Sequence, residues 1–155
     1  QQQKNRVFPC AVNRACKDTS LSRQWMKYSM MMCSSYPSKM TNKRNADQRK
    51  VVYRPPTYRM KDFCECLNNL LEELHKVGTK CIVMGDFNDN LLKQSSKIQD
   101  LMCNHGYTQH VKQSTTEGDT LIDHVYSKGL PLVETQVIPI YYSYHEAIKI
   151  KLFHI

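Results

Sequence analysis

The run Cys81-Ile82-Val83-Met84-Gly85-Asp86-Phe87-Asn88 decides the architecture. Its consecutive apolar residues read as a strand buried on both faces, the pattern of an internal strand covered above and below. Gly85 cuts the run. Asp86 and Asn88 follow at its carboxyl end, where open sheets present their functional groups. A carboxylate there can take a proton from water or hold Mg²⁺, and an amide can fix a water or a phosphate oxygen. Taken alone, the Asp-x-Asn pair also suits an ordinary turn, because both side chains bond to nearby backbone.

Upstream of this run, Phe63, Leu67, Leu70, Leu71, Leu74 and Val77 recur at helical spacing and predict one apolar helix face, stopped by Gly78. Before them, Val51-Val52-Tyr53 is a short β-favouring run ended by Pro55-Pro56, since proline cannot donate to a ladder. Downstream, Ser95 or Ser96 can cap a second helix carrying Ile98, Leu101 and Met102, with Gly106 after its last turn. The remainder predicts strands at Tyr107–Val111, Thr120–Tyr126, Val133–Ile138 and His145–Phe153. The fold class is therefore α/β, with helices packed on a largely buried sheet and an antiparallel run closing it.

Composition adds a division. The chain has 155 residues, 41% hydrophobic and 23% charged, which allows one packed domain or part of one. Residues 1–61 hold 14 Lys and Arg against two Asp, whereas residues 62–155 hold 8 against 12 acids. Residues 1–50 lack a sustained period, and residues 42–50 read as a loop. The expected division is a basic, poorly patterned segment (1–50) followed by a patterned domain (51–155). A basic segment suits either a phosphate backbone or plain solvation. Seven cysteines make an odd count, and without a secretory signal they are expected to be reduced thiols. Cys64-Glu65-Cys66 has no second ligand pair at zinc spacing. Reduced thiols suit an intracellular, nuclear setting, which is expected here; no stretch approaches the roughly 20 apolar residues of a membrane span, and no membrane partner is expected. The start, Gln1-Gln2-Gln3-Lys4, suggests a piece of a longer product.

Two further segments carry chemistry. Thr120-Leu121-Ile122-Asp123-His124-Val125 places an acid within an apolar strand, where a carboxylate is costly without a partner. Successive strand side chains face opposite ways, so only one of Asp123 and His124 can enter a site. Ser143-Tyr144-His145-Glu146 opens the last strand with an imidazole able to donate to phosphate, and a buried carboxylate can orient such a ring.

In order, Tyr53-Arg54-Pro55-Pro56, the helix, VMGDFN (83–88), TLIDHVYS (120–127) and YSYHEA (142–147) resemble motifs of the endonuclease/exonuclease/phosphatase superfamily. Its members include DNase I-like and retrotransposon nucleases. GYTQHV (106–111), STTEGDTLIDHVY (114–126) and YYSYHEAI (141–148) are most similar to the endonuclease-like segment of Helitron-type proteins. The resemblance covers about residues 51–152. It implies the C-terminal half of a four-layer DNase I-like β-sandwich with flanking helices, and Mg²⁺- or Mn²⁺-assisted hydrolysis of DNA phosphodiesters. It implies that Asp86 activates water, Asn88 positions it, His145 stabilises phosphate charge, Asp123 orients His145, and Tyr53 lines the phosphate pocket. Arg54 and Asn88 would contact substrate, and Asp86 and Asn88 would face the metal.

The chain departs from the family twice. The family's first half supplies a metal-anchoring Glu, yet no Glu precedes Glu65 here. The family's Ser-Asp-His is here Ser143-Tyr144-His145, and a neutral phenol is a poor Mg²⁺ ligand. Glu146 is the neighbouring carboxylate available to substitute. Weak metal binding and impaired catalysis are expected, with a helicase or reverse-transcriptase region of a longer polypeptide as the natural companion. The alternative expectation is a non-catalytic remnant that binds nucleic acid through its basic segment.

Overall fold

The computed structural model describes residues 48–77, 80–93, 95–130 and 132–153. Most of the basic segment, residues 1–47, lies outside the described residues, as does the helix-stopping Gly78.

Strand β1 (Gln48–Tyr53) runs parallel to β2 (Cys81–Asp86), with Gln48 opposite Cys81 and Tyr53 opposite Asp86. Helix α1 (Met60–Val77) is the crossover between them. Phe63, Leu67, Leu71 and Leu74 are buried, as the spacing predicted, while Val77 at the last turn is 63% exposed. Burying four such side chains is worth about 6–12 kcal/mol gross. Intrinsic propensity contributes only tenths of a kcal/mol per residue, so packing decides this helix.

Helix α2 (Lys97–Asn104) begins at Ser96, whose Oγ accepts from Gln99 N at 2.9 Å, and buries Ile98 and Met102. Strands β3 (Thr108–Gln109) and β4 (Asp123–Lys128) complete a four-stranded sheet of order β1-β2-β4-β3, with β4 antiparallel to both neighbours. Strands β5 (Leu132–Ile138) and β6 (Ala147–Phe153) form a separate antiparallel pair.

The β2 run alternates between two cores, which is why it is apolar throughout. Cys81 and Val83 join Tyr126 and the buried residues of α1 and α2 on one face. Ile82 and Met84 join Val125, Leu121 and Ile148 on the other, with Val137, Ile150 and Leu152 of the β5–β6 pair against them. Among the described residues the layers are thus helices, sheet and β-pair, a mixed α/β arrangement that accounts for part of the expected sandwich.

Several boundaries differ from expectation. Residues 48–50, expected in a loop, are strand, because pairing with buried β2 outweighs their polar composition. The third strand shrinks to Thr108–Gln109, and the fourth starts at Asp123 rather than Thr120. Residues 115–122 are instead held by loop hydrogen bonds, including Thr115 N to Thr120 O at 2.8 Å.

Arg54 ties the ends of β1 and β2 together. It is 7% exposed, and its Nε, Nη1 and Nη2 donate to the carbonyls of Phe87 (2.7 Å), Tyr58 (2.9 Å) and Asn88 (2.6 Å). Replacing it by Met would leave those carbonyls short of a charged donor. Arg54→Met is expected to cost about 2–4 kcal/mol, read from urea unfolding midpoints. Arg54→Lys should recover little of this, because an ammonium cannot span three diverging acceptors. A lysine variant as stable as the parent would refute the clamp.

Candidate active site

Asp86 closes β2 and Asp123 opens β4, and the two are direct partners in the antiparallel register. Directly opposed residues share a face, here the one bearing Ile82, Met84 and Val125. The acids therefore continue an apolar stripe at the edge where β2 ends. His145 comes from the connection between β5 and β6 and is held there by an isolated antiparallel bridge to Thr116. Its Nδ1 lies 2.9 Å from Asp123 Oδ2. Ligand-capable atoms of Asp86, Asp123 and His145 all lie within 4.8 Å of one another.

Strand alternation separates Asp123 from His124, and the structure shows which of them enters the site. Asp123 enters, and His124 points into the helix-side core. His124 stacks on Phe87 at 4.7 Å between centroids and 9° between planes. Its Nε2–H donates to the Asp89 carbonyl (2.8 Å), leaving Nδ1 to accept from the Tyr126 hydroxyl (3.2 Å). Burial pushes its pKa down, so this ring is a neutral core group.

Asn88 sits at the site with φ +48°, a left-handed conformation that asparagine tolerates better than most residues. Its backbone N donates to Asp86 Oδ1 (2.9 Å), and its Nδ2 donates to Asp86 Oδ2 (3.1 Å) and to the Arg54 carbonyl (2.9 Å). Tyr53 pairs with Asp86 across β1 and β2. Asp86, Asn88, Tyr53, Asp123 and His145 thus meet at one sheet edge. Arg54, expected to contact substrate, instead directs its guanidinium into the loop carbonyls described above.

Electrostatics mark the same place. Burial raises the Asp86 pKa to about 6, with the neighbouring Asp123 charge adding and the Asn88 N–H opposing. His145 has its pKa raised first by its hydrogen bond to Asp123 and then by the charges of Asp123 and Asp86, with burial opposing. Two crowded carboxylates, one of them reluctant to ionise, are a donor set whose charge a hard cation would offset. Mg²⁺ is commonly held by one or two carboxylates together with waters and substrate oxygens. The residues present fit such an ion, though with fewer oxygens than a dedicated cage.

Neither candidate for the missing acid joins the cluster. Tyr144 is half-exposed and directs its hydroxyl to Gly118, where an added Cβ would stand 2.3 Å from it. Glu146, the neighbouring carboxylate available as a substitute ligand, accepts from Ile140 N through Oε2 (2.7 Å) and so closes the turn that carries His145. The reason is local: the backbone either side of His145 is pinned by Glu117 N to Tyr144 O (3.1 Å) and Glu146 N to Thr115 O (2.8 Å).

Some supporting residues had no place in the sequence reading. Thr115 is fully buried, and its Oγ1 accepts from Asp123 N at 3.1 Å, fixing the start of β4. Asn90 Oδ1 accepts from Leu121 N (3.0 Å) and Leu92 N (3.1 Å), tying the loop after β2 to the approach of β4. The Asp89 carboxylate accepts from the α2 cap Ser96. Only the turn-forming character of Asp89-Asn90 signalled any of this.

No protein-family model and no curated protein matches the chain. Among solved structures it is similar to the endonuclease domain of TRAS1, a telomere-specific non-LTR retrotransposon, with 14% identity and a TM-score of 0.51. The match covers 64% of this chain and 54% of that one, so the chain spans about half of that domain's length. This likeness is one of fold, shared over part of each chain. Among the described residues, no helix is long and apolar enough to cross a membrane.

Proposed function

We propose that the chain carries part of a divalent-metal-dependent endonuclease site that hydrolyses DNA phosphodiesters, in a mobile-element context. The observation that carries this reading is the meeting of Asp86, Asp123 and His145 within 4.8 Å. The retrotransposon likeness supports the mobile-element setting, and the segments 106–111 and 141–148 favour a Helitron-type protein within it. A helicase or reverse-transcriptase region of a longer polypeptide and a nuclear location fit the same setting.

In this mechanism Asn88 orients a water and Asp86 takes its proton as the new P–O bond forms and the bond to the leaving oxygen breaks. With its pKa near neutrality, Asp86 combines an ionised population with useful basicity. Asp123 accepts the Nδ1–H of His145, fixes its tautomer and favours the imidazolium, which sets positive charge against the phosphate. Tyr53 lines the same edge. Asp86 and Asn88, beside Asp123, would hold a Mg²⁺ or Mn²⁺ ion, which would supply charge neutralisation at the phosphate.

Incubation with supercoiled plasmid tests this. Nicking is expected only with cation, abolished by EDTA, and saturating at high cation concentration because oxygen ligands are few. No nicking with either Mg²⁺ or Mn²⁺ at any concentration would refute it. The second reading, a non-catalytic DNA-binding remnant, is favoured by the engagement of Glu146 with Ile140 N. It predicts filter binding that weakens steeply with salt through the 14 Lys and Arg of residues 1–61.

The pH profile follows from the two shifted groups. Asp86 must be ionised; its pKa is about 6 in the cation-free site and a bound cation draws it down, so the rate should rise with pH at or below that value. His145 must be protonated, so the rate should fall once pH exceeds its raised pKa. A bell whose acid limb lies at or below about 6 and moves to lower pH as cation is raised is the expected result, and a flat rate from acid to neutral pH would exclude Asp86 as the base.

A further inference from the structure

The connection between β5 and β6, residues 139–146, carries an unusual surface. Tyr141 is 100% exposed, Tyr142 83% and Tyr144 53%, and all three lie within four residues of His145. The side chains of Tyr141 and Tyr142 make no hydrogen bond or ring contact among the described residues. Large aromatic rings left fully in water give up the burial that normally stabilises them.

The loop is nonetheless built at its base. Glu146 Oε2 accepts from Ile140 N (2.7 Å), and Ser143 Oγ accepts from His145 N (3.1 Å). The bonds from Glu117 N to Tyr144 O and from Glu146 N to Thr115 O anchor its second half to the 114–119 loop. Tyr144 packs edge-on to His145 with centroids 5.7 Å apart and fits over Gly118, which has no Cβ. Fixed backbone at both ends presents the turn Tyr141-Tyr142 as a small platform rather than a loose tail.

We infer that Tyr141 and Tyr142 form a stacking platform for unpaired nucleobases next to the scissile phosphate, so that the site takes single-stranded or locally unpaired DNA. This inference rests on the phosphodiesterase reading for the identity of the ligand. The chemistry is direct: an exposed phenol ring offers a flat apolar face to any base, and base faces are open only where the strand is unpaired. The scale also fits. Four residues of extended chain span at most about 14 Å, the length of about four nucleotide rises of 3.4 Å. Bases stacked on the turn therefore belong to the nucleotides flanking the phosphate held at His145. Tyr144, ring against ring with His145, joins the platform to His145 along the chain.

Binding of a labelled oligothymidylate of about 12 nucleotides, followed by fluorescence anisotropy in EDTA with the full chain, tests this without catalysis. Tyr141→Ala and Tyr142→Ala are each expected to weaken binding at least about fivefold. The Tyr→Phe variants keep the ring face and should stay within about twofold of the parent. A strand of the same length with abasic sites throughout should bind the parent and the alanine variants alike, since its phosphates remain and its bases do not. Unchanged oligothymidylate binding in both alanine variants would overturn the inference, as would an equal loss on the abasic strand. Loss of self-association in the alanine variants with intact strand binding would overturn it too, assigning the rings to a second copy of the chain. The two readings fail separately: a chain that shows the base-dependent binding but never nicks refutes only the hydrolysis, and a chain that nicks while the alanine variants bind normally refutes only the platform.

Discussion

Asp86→Asn is expected to lower cation-dependent plasmid nicking by about two to three orders of magnitude. The substitution is nearly isosteric, and its amide oxygen can still accept from Asn88 N, which lies 2.9 Å from Oδ1 in the parent. What it removes is a proton acceptor whose pKa burial has raised to about 6. His145→Ala should fall by a similar factor, because it deletes the cation that faces the phosphate. Asp123→Asn tests whether this pair acts as a unit. With no carboxylate to accept Nδ1–H at 2.9 Å, the ring loses its fixed tautomer and the cause of its raised pKa. The double variant Asp123→Asn/His145→Ala should then be no slower than His145→Ala alone, as expected for residues that work through one another. Full additivity of the two losses would show that Asp123 acts elsewhere, and nicking within tenfold of the parent in Asp86→Asn would remove Asp86 from the chemistry.

The parts of this molecule legible in the sequence are those whose signal is local. The β2 run could be read because burial on both faces demands an unbroken apolar string, and it alternates between the two cores residue by residue. The α1 face was legible because 18 residues give the period several repeats. Alternation on β4 also fixed that Asp123 and His124 part company, though only the structure shows which enters the site. Long-range polar contacts left no such trace. Arg54 reaches carbonyls 33 and 34 residues away, so its clamp looks in sequence like an available cation. Thr115 and Asn90 support β4 across the loops, and neither position has a periodicity to betray it. Adjacency in sequence is a poor guide at Glu146: it lies beside His145, yet turn closure engages its carboxylate with Ile140 N. Strand geometry would have kept it with Tyr144, but His145 occupies an isolated bridge with β6 starting only at Ala147.

Gly85→Ala is expected to be the most damaging small substitution in the described core. Gly85 lies opposite Val52 in the parallel register and adopts φ +146°, a conformation that L side chains rarely adopt. A Cβ built there would stand 1.8 Å from the Val52 carbonyl oxygen and 2.8 Å from its carbonyl carbon. Those are backbone atoms of a paired strand, so no rotamer change can relieve the overlap. Either β1 must move away from β2 by more than an ångström or Gly85 must change its backbone angles, and each route breaks ladder hydrogen bonds. Backbone strain alone costs about 1–3 kcal/mol, and disrupted pairing should bring the total to at least about 3 kcal/mol. A domain stable by about 5–15 kcal/mol would lose much of its margin. The loss reaches the site as well, because the same register sets Tyr53 against Asp86 and brings Arg54 N to the Asp86 carbonyl at 2.9 Å. Urea unfolding should show the lowered midpoint. At denaturant concentrations where the variant remains folded, its nicking rate should still lag the parent. An alanine variant that unfolds within about 1 kcal/mol of the parent would mean that β1 does not sit this close to β2.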